Sequence, residues 1–277
     1  MKFQIDCHLV YQVAESASFL FNVAAVRNSL QRVISEDLSI TGAQPAEELA
    51  ASGQRLHRIA AGTGRVELTY HAVISVESEM LDASKLDVAP LHKLPREALV
   101  FLYPSRFCQS DLLARFANRE FTNIESGFDR LTRICNWIYE YVEYLQGSTN
   151  SSTSAFDTAT QRAGVCRDFA HLGIAVCRAL GIPARFVSGY AYGLNPPDFH
   201  AYFEAFLGGR WIIADPTRLS PQSSFIRIGE GRDAADTSFA MIFGNAPLTE
   251  MQLSMQLAAA ESQLPQYVDG PISNCPL

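Results

Sequence analysis

The chain predicts an α+β protein in two parts: a β-rich stretch over residues 1–100 and a mixed helix-and-sheet stretch over residues 101–277. Three observations predict it. Phe3, Ile5, Cys7, Leu9, Tyr11 and Val13 are apolar at every second position, the period of a half-buried strand. Apolar residues then recur at helical spacing in two later stretches. Finally, two short strand-like runs flank the pair Gly208-Gly209, a two-residue hairpin signal.

In chain order, further strands are expected at 19–26, 29–40, 55–61 and 65–77, the last two flanking Gly62-Thr63-Gly64 as a hairpin. His8, His57 and His71 lie singly in these segments and read as structural or solvated. Pro90 to Pro104 is proline-rich and marks the boundary between the parts. Residues 124–145 carry Leu131, Ile134, Ile138, Tyr141, Val142 and Leu145 at helical spacing. The small polar run 146–154 reads as a surface loop with freedom to move. Ser154 to Asp157 then fits a capping signal for a short helix that ends before Gly164. After Cys166, the stripe Phe169, Leu172, Val176 and Leu180 predicts a helix, with Gly181 at its C′ position and Pro183 barring continuation.

Size and composition narrow the class. The 277 residues are 48% hydrophobic and 18% charged, enough to bury a core, and the formal net charge of −7 leaves no basic footprint for nucleic acid. No apolar run of membrane-spanning length occurs, so no membrane partner is expected, and the start does not read as a signal peptide. The six cysteines show no CxxC pair and no regular framework, which favours a reduced, cytoplasmic chain. No cofactor is expected. No calcium-binding loop is recognisable.

The chemistry concentrates at Cys166, His200 and Asp215. Cys166 falls in the first turn of the predicted helix, where free N–H groups and the positive dipole end favour a thiolate and can stabilise an oxyanion. Counting outward from Gly208-Gly209 pairs Leu207 with Arg210, Phe206 with Trp211 and Glu204 with Ile213. It leaves His200 and Asp215 as diagonal neighbours on one face, within reach of each other. The carboxylate then fixes one imidazole nitrogen and the other serves as base for a thiol. A cysteine alone reads as a small buried residue, as Cys177 does, and His200 with Asp215 as unrelated polar groups on a sheet. A metal site built from Cys166, His171 and His200 lacks the short ligand pairs of common zinc sites.

The segments Gly164-Val165-Cys166-Arg167-Asp168-Phe169-Ala170, Gly181 to Arg185, Val187 to Tyr190, His200-Ala201, Trp211 to Thr217 and Gly231 to Asp236 resemble the transglutaminase-like superfamily, specifically its bacterial cysteine proteinases. The first hundred residues are similar to the amino-terminal domain that accompanies this group. The resemblance implies a papain-like core with the nucleophile at a helix N-terminus packed on an antiparallel sheet, and a triad of Cys166, His200 and Asp215. It implies an enzyme acting on a peptide or protein substrate: a hydrolase of amide bonds working through a thioester. Acyl transfer to an amine, or a catalytically silent binding module, are the alternatives. Tyr190, Asp168 and Trp211 are further candidates for substrate or oxyanion contacts, each with a structural alternative: sheet packing for Tyr190 and Trp211, and loop anchoring or helix initiation for Asp168. Arg232 and Asp233 are expected to close the site or to lie in a solvated loop.

Overall fold

The computed structural model describes residues 1–51, 53–124, 126–258, 263–268 and 270–275. In chain order the strands β1 (Lys2–Val13), β2 (Ala17–Phe21), β3 (Gln31–Thr41), β4 (Glu47–Ala51), β5 (Gln54–Ala61) and β6 (Gly64–Val76) come first, followed by the short β7 (Glu79–Met80). Helices α1 (Arg96–Leu99), α2 (Ser110–Phe121) and α3 (Gly127–Tyr141) lead to β8 (Glu143–Tyr144), α4 (Ala155–Gln161), β9 (Ala163–Gly164) and α5 (Cys166–Ala179). The remainder is β10 (Ala184–Tyr190), β11 (His200–Leu207), β12 (Arg210–Ala214), β13 (Ile226–Gly231), β14 (Ala240–Gly244), β15 (Leu248–Leu257) and β16 (Ile272–Ser273).

The first part is a sandwich of two antiparallel sheets, ordered β15-β1-β6-β3 and β14-β2-β5-β4. The alternation in β1 places Phe3, Ile5, Cys7, Leu9, Tyr11 and Val13 between the sheets, all essentially buried. Two expectations are corrected here. Residues 55–61 and 65–77 do not form a hairpin, because β5 pairs with β2 and β4 whereas β6 pairs with β1 and β3. The glycines between them turn a corner from one sheet to the other. Nor does the division near residue 100 hold for the later chain. β14 and β15 return to complete the two sheets, pairing with β2 and β1.

The second part packs helices on one face of the sheet β12-β11-β10-β13. The hairpin register counted from Gly208-Gly209 is the one observed, with Leu207 opposite Arg210, Phe206 opposite Trp211 and Glu204 opposite Ile213. Both faces of β11 are covered, so every residue from His200 to Leu207 is buried. Phe203, Ala205 and Leu207 join the core under α5, while Tyr202 packs with Ile213, Phe225 and Ile272. Helix α5 approaches closely through Gly173, where a Cβ would lie 2.3 Å from Cε1 of Phe203.

A buried ionic network stiffens the second face. Arg185 donates to Glu204 (2.7 Å) and Glu230 (2.6 Å), and Arg227 donates to the same two carboxylates and to Asn274. Burial works against the Glu204 charge, but Arg227 and Arg185 overcome it and hold the carboxyl below its usual range. The two parts meet along β13. The Gln31 side chain bonds both the carbonyl and the N–H of Arg227, and Gln54 donates to the carbonyls of Glu230 and Asp236.

Candidate active site

Cys166 opens α5. Its helix begins cleanly because Asp168, fully buried, accepts from the Val165 N–H at 3.0 Å and so occupies a donor that the helix cannot satisfy itself. Valine has no acceptor to return the favour, so the cap is one-sided. The same carboxylate accepts from the Thr149 hydroxyl at 2.8 Å, and Arg167 donates to the Asn150 carbonyl at 2.6 Å. The polar run expected to be a free surface loop is thereby pinned against the start of α5. Of the two readings of Asp168, helix initiation and loop anchoring, it does both.

His200 begins β11 and Asp215 follows β12. Both are buried, and the His200 Nε2–H donates to Asp215 Oδ2 at 2.9 Å. The second oxygen, Oδ1, accepts from the Thr217 N–H at 2.9 Å, which fixes the carboxylate's rotation. With Nε2 engaged, the other ring nitrogen is left for Cys166, which lines the same cleft and helps to raise the ring's pKa. Burial disfavours a charged imidazole, but the Asp215 carboxylate outweighs it and the ring's pKa is pushed up to about 10.

Tyr144 is a site residue that sequence reasoning missed. β8 pairs in parallel with β9, Tyr144 beside Gly164, and the Leu145 N–H donates to the Gly164 carbonyl at 3.0 Å. This places Tyr144 in the wall of the same cleft as Cys166, close enough for the two to influence each other's ionisation. Burial, then the Cys166 charge, push the phenol's pKa up, so it stays a proton donor. The expected helix over 124–145 hid this. It ends at Tyr141, leaving Tyr141 and Leu145 exposed, and the chain turns extended in time to present Tyr144.

Two other candidates lie elsewhere. The Tyr190 hydroxyl donates to the Val23 carbonyl at 2.7 Å and its ring belongs to the sandwich core, so it is turned away from Cys166 by packing. Trp211 packs edge-on against Phe101 and Phe206 beneath the Arg185 guanidinium, 4.1 Å from its ring centroid. His171 is stacked between Phe107 and Phe186, and its Nε2 accepts from the Ala234 N–H at 3.1 Å. Asp233 is buried and accepts from the Phe107 N–H at 2.9 Å, whereas Arg232 pairs with Asp236 at the exposed surface, so the turn is half built in and half solvated.

Cys166 and His200 sit in a cleft of about 1670 Å³, walled by the 146–151 loop, the 193–199 segment and residues 234–242. Ser188 and Thr237 border it as well, with their hydroxyls turned into the protein. Both are buried, and neither has a hydrogen-bond partner among the described residues.

The sequence matches two family descriptions, the transglutaminase-like superfamily over residues 114–216 and the bacterial transglutaminase N-terminal domain over residues 1–97. A solved structure from Cytophaga hutchinsonii, described as a candidate cysteine protease, is 44% identical with a TM-score of 0.94, the match covering 99% of this chain and 97% of that one. An uncharacterised protein of Mycobacterium leprae is 36% identical over 111 residues, 37% of this chain and 39% of the relative. A protein-glutamine gamma-glutamyltransferase of Pseudomonas aeruginosa is 35% identical over 109 residues, 35% of this chain and 15% of that protein. The matches to these two curated relatives thus span well under two thirds of their length.

Proposed function

The chain belongs to the transglutaminase-like superfamily, and from that premise we propose that it is a cysteine-nucleophile hydrolase cleaving peptide or other amide bonds through a thioester. The observation that carries this reading is Cys166 lining one open cleft with His200, whose ring is bonded to Asp215. The Cys166 sulfur adds to the amide carbonyl carbon, and the carbonyl electron pair moves to oxygen. As that pair returns, the C–N bond breaks and His200 delivers a proton to the leaving nitrogen. Water, deprotonated by His200, then adds to the thioester, and the sulfur departs to be reprotonated. The negative oxygen is held by the Cys166 backbone N–H at the start of α5 and by the Tyr144 hydroxyl from the wall of the same cleft.

The Pseudomonas relative favours a second reading, transfer of the acyl group to an amine. Against it stands the acceptor's chemistry. A solvated lysine is neutral only in roughly four parts per ten thousand at pH 7, while water has free access to an open cleft. Amine transfer needs a site that excludes water and desolvates the lysine.

Limiting iodoacetamide with peptide mass spectrometry tests the nucleophile. Burial pushes Cys7, Cys108 and Cys135 up to about 12 and Cys177 well above its usual value, so Cys166 should alkylate first. Earlier labelling of any of these four, or of Cys275, removes the basis for the mechanism. Acyl-amide substrates offered with and without excess primary amine separate the two readings. Dominant amide product at millimolar amine favours transfer.

A further inference from the structure

The edge of β14 supplies a binding surface that the mechanism does not use. β14 pairs with β2 on one side only and ends its sheet. The Asn22 N–H bonds the Phe239 carbonyl at 2.9 Å, which sets the alternation of the ladder. Phe239, Met241 and Phe243 therefore turn their backbone groups toward β2, and Ala240 and Ile242 turn theirs outward. The Ala240 carbonyl confirms the phase, since it accepts from the Ser238 hydroxyl at 2.8 Å rather than from β2. Among the described residues, nothing pairs with the Ala240 N–H or with the N–H and carbonyl of Ile242. Met241 and Phe243 are 41% and 62% exposed, so the edge is apolar as well as open. Such an edge is a template for another strand.

Its position decides which strand. Ala240, Met241 and Ile242 line the same cleft as Cys166. Phe239, just before β14, stacks on Phe199 with ring centroids 4.6 Å apart, and Phe199 precedes His200. The volume exceeds the roughly 300–1,000 Å³ of a small-molecule pocket.

We propose that β14 receives an extended segment of a polypeptide substrate as an added strand, leading its chain across Cys166. Backbone pairing to Ala240 and Ile242 supplies sequence-independent affinity, and Met241 and Phe243 favour apolar side chains two residues apart on the incoming segment. The substrate class is thus unfolded or loop-presented protein rather than a small amide. This rests on the hydrolase reading above.

The test separates the two. Reduced, carboxymethylated lactalbumin, a permanently unfolded polypeptide, is added to the full-length Cys166→Ala protein, and amide hydrogen exchange is followed. Exchange at residues 240–244 should slow at least tenfold, while β4, the opposite edge of the same sheet, stays unchanged. No protection at 240–244, equal protection at both edges, or protection without added polypeptide because two copies pair through β14, each overturns the proposal. In active protein, Ile242→Pro removes an outward N–H that β2 does not use, and should raise KM for the same polypeptide at least tenfold. An unchanged KM also overturns it. Cys166 alkylation in the unmodified protein reports separately on the hydrolase reading.

Discussion

Two histidines buried in the same domain carry opposite charge preferences. His200 is held charged by Asp215 against the cost of burial, up to about 10. His171 is driven well below its usual range by burial and by the positive Arg167 and Arg178. Ring NMR should find His200 protonated at pH 8 and His171 neutral at pH 6.5, the usual midpoint of a histidine. The stability consequences have opposite signs. The His200 contribution is fully present below about pH 6.5 and is lost as pH rises toward 10, whereas His171 costs stability as pH falls below about 6.5. Replacing His200 with Gln should flatten the alkaline side of the stability curve; a curve unchanged there would contradict the ion pair. Asp215→Asn should fold and lose turnover by about three to four orders of magnitude, measured on any amide substrate. Tyr144→Phe should lower kcat about a hundredfold or more with little change in KM. The sequence could place His200 beside Asp215 because a two-residue turn fixes register on both sides. It could not distinguish Tyr144 from Tyr190, since which aromatic faces a cleft depends on helix and strand ends that periodicity blurs.

Helix α5 was readable from its stripe, its Gly181 stop and its proline. What the stripe did not reveal is how near the helix lies to the sheet. Gly173 permits that approach, and Gly173→Ala should cost about 1–3 kcal/mol in urea denaturation despite alanine's better helix propensity, because Phe203 is fully buried and its ring has nowhere to go. A stabilised variant would mean that the ring has room to move. β5 and β6 form where alternation predicts strands, but they do not pair with each other. Local alternation identifies which residues face inward but is silent on which sheet a strand joins, and a sandwich turns a corner with the same glycines as a hairpin.

At the scale of the whole molecule, the two parts are tied together by strands exchanged in sequence and by the Gln31 and Gln54 bonds to β13. The chain should therefore unfold in one cooperative transition by both circular dichroism and tryptophan fluorescence. Residues 1–100 expressed alone, lacking β14 and β15, should not give a dispersed NMR spectrum; a well-folded fragment would show that the sandwich needs no help. The sequence did not signal this return, because β15 is mostly exposed and carries little alternation to mark it.

Phe3 pairs with Leu257, so the first strand to leave the ribosome waits for one of the last. About 180 residues separate the end of β6 from the end of β15, on the order of ten to forty seconds of synthesis at 5–20 residues per second. During that interval one flank of β1 is an unclosed seam on a nascent chain. Ribosome-arrested chains stopped before residue 240 should be cut within 1–76 by low protease, and chains released past residue 257 should resist. Early resistance would show that some other segment shelters the seam.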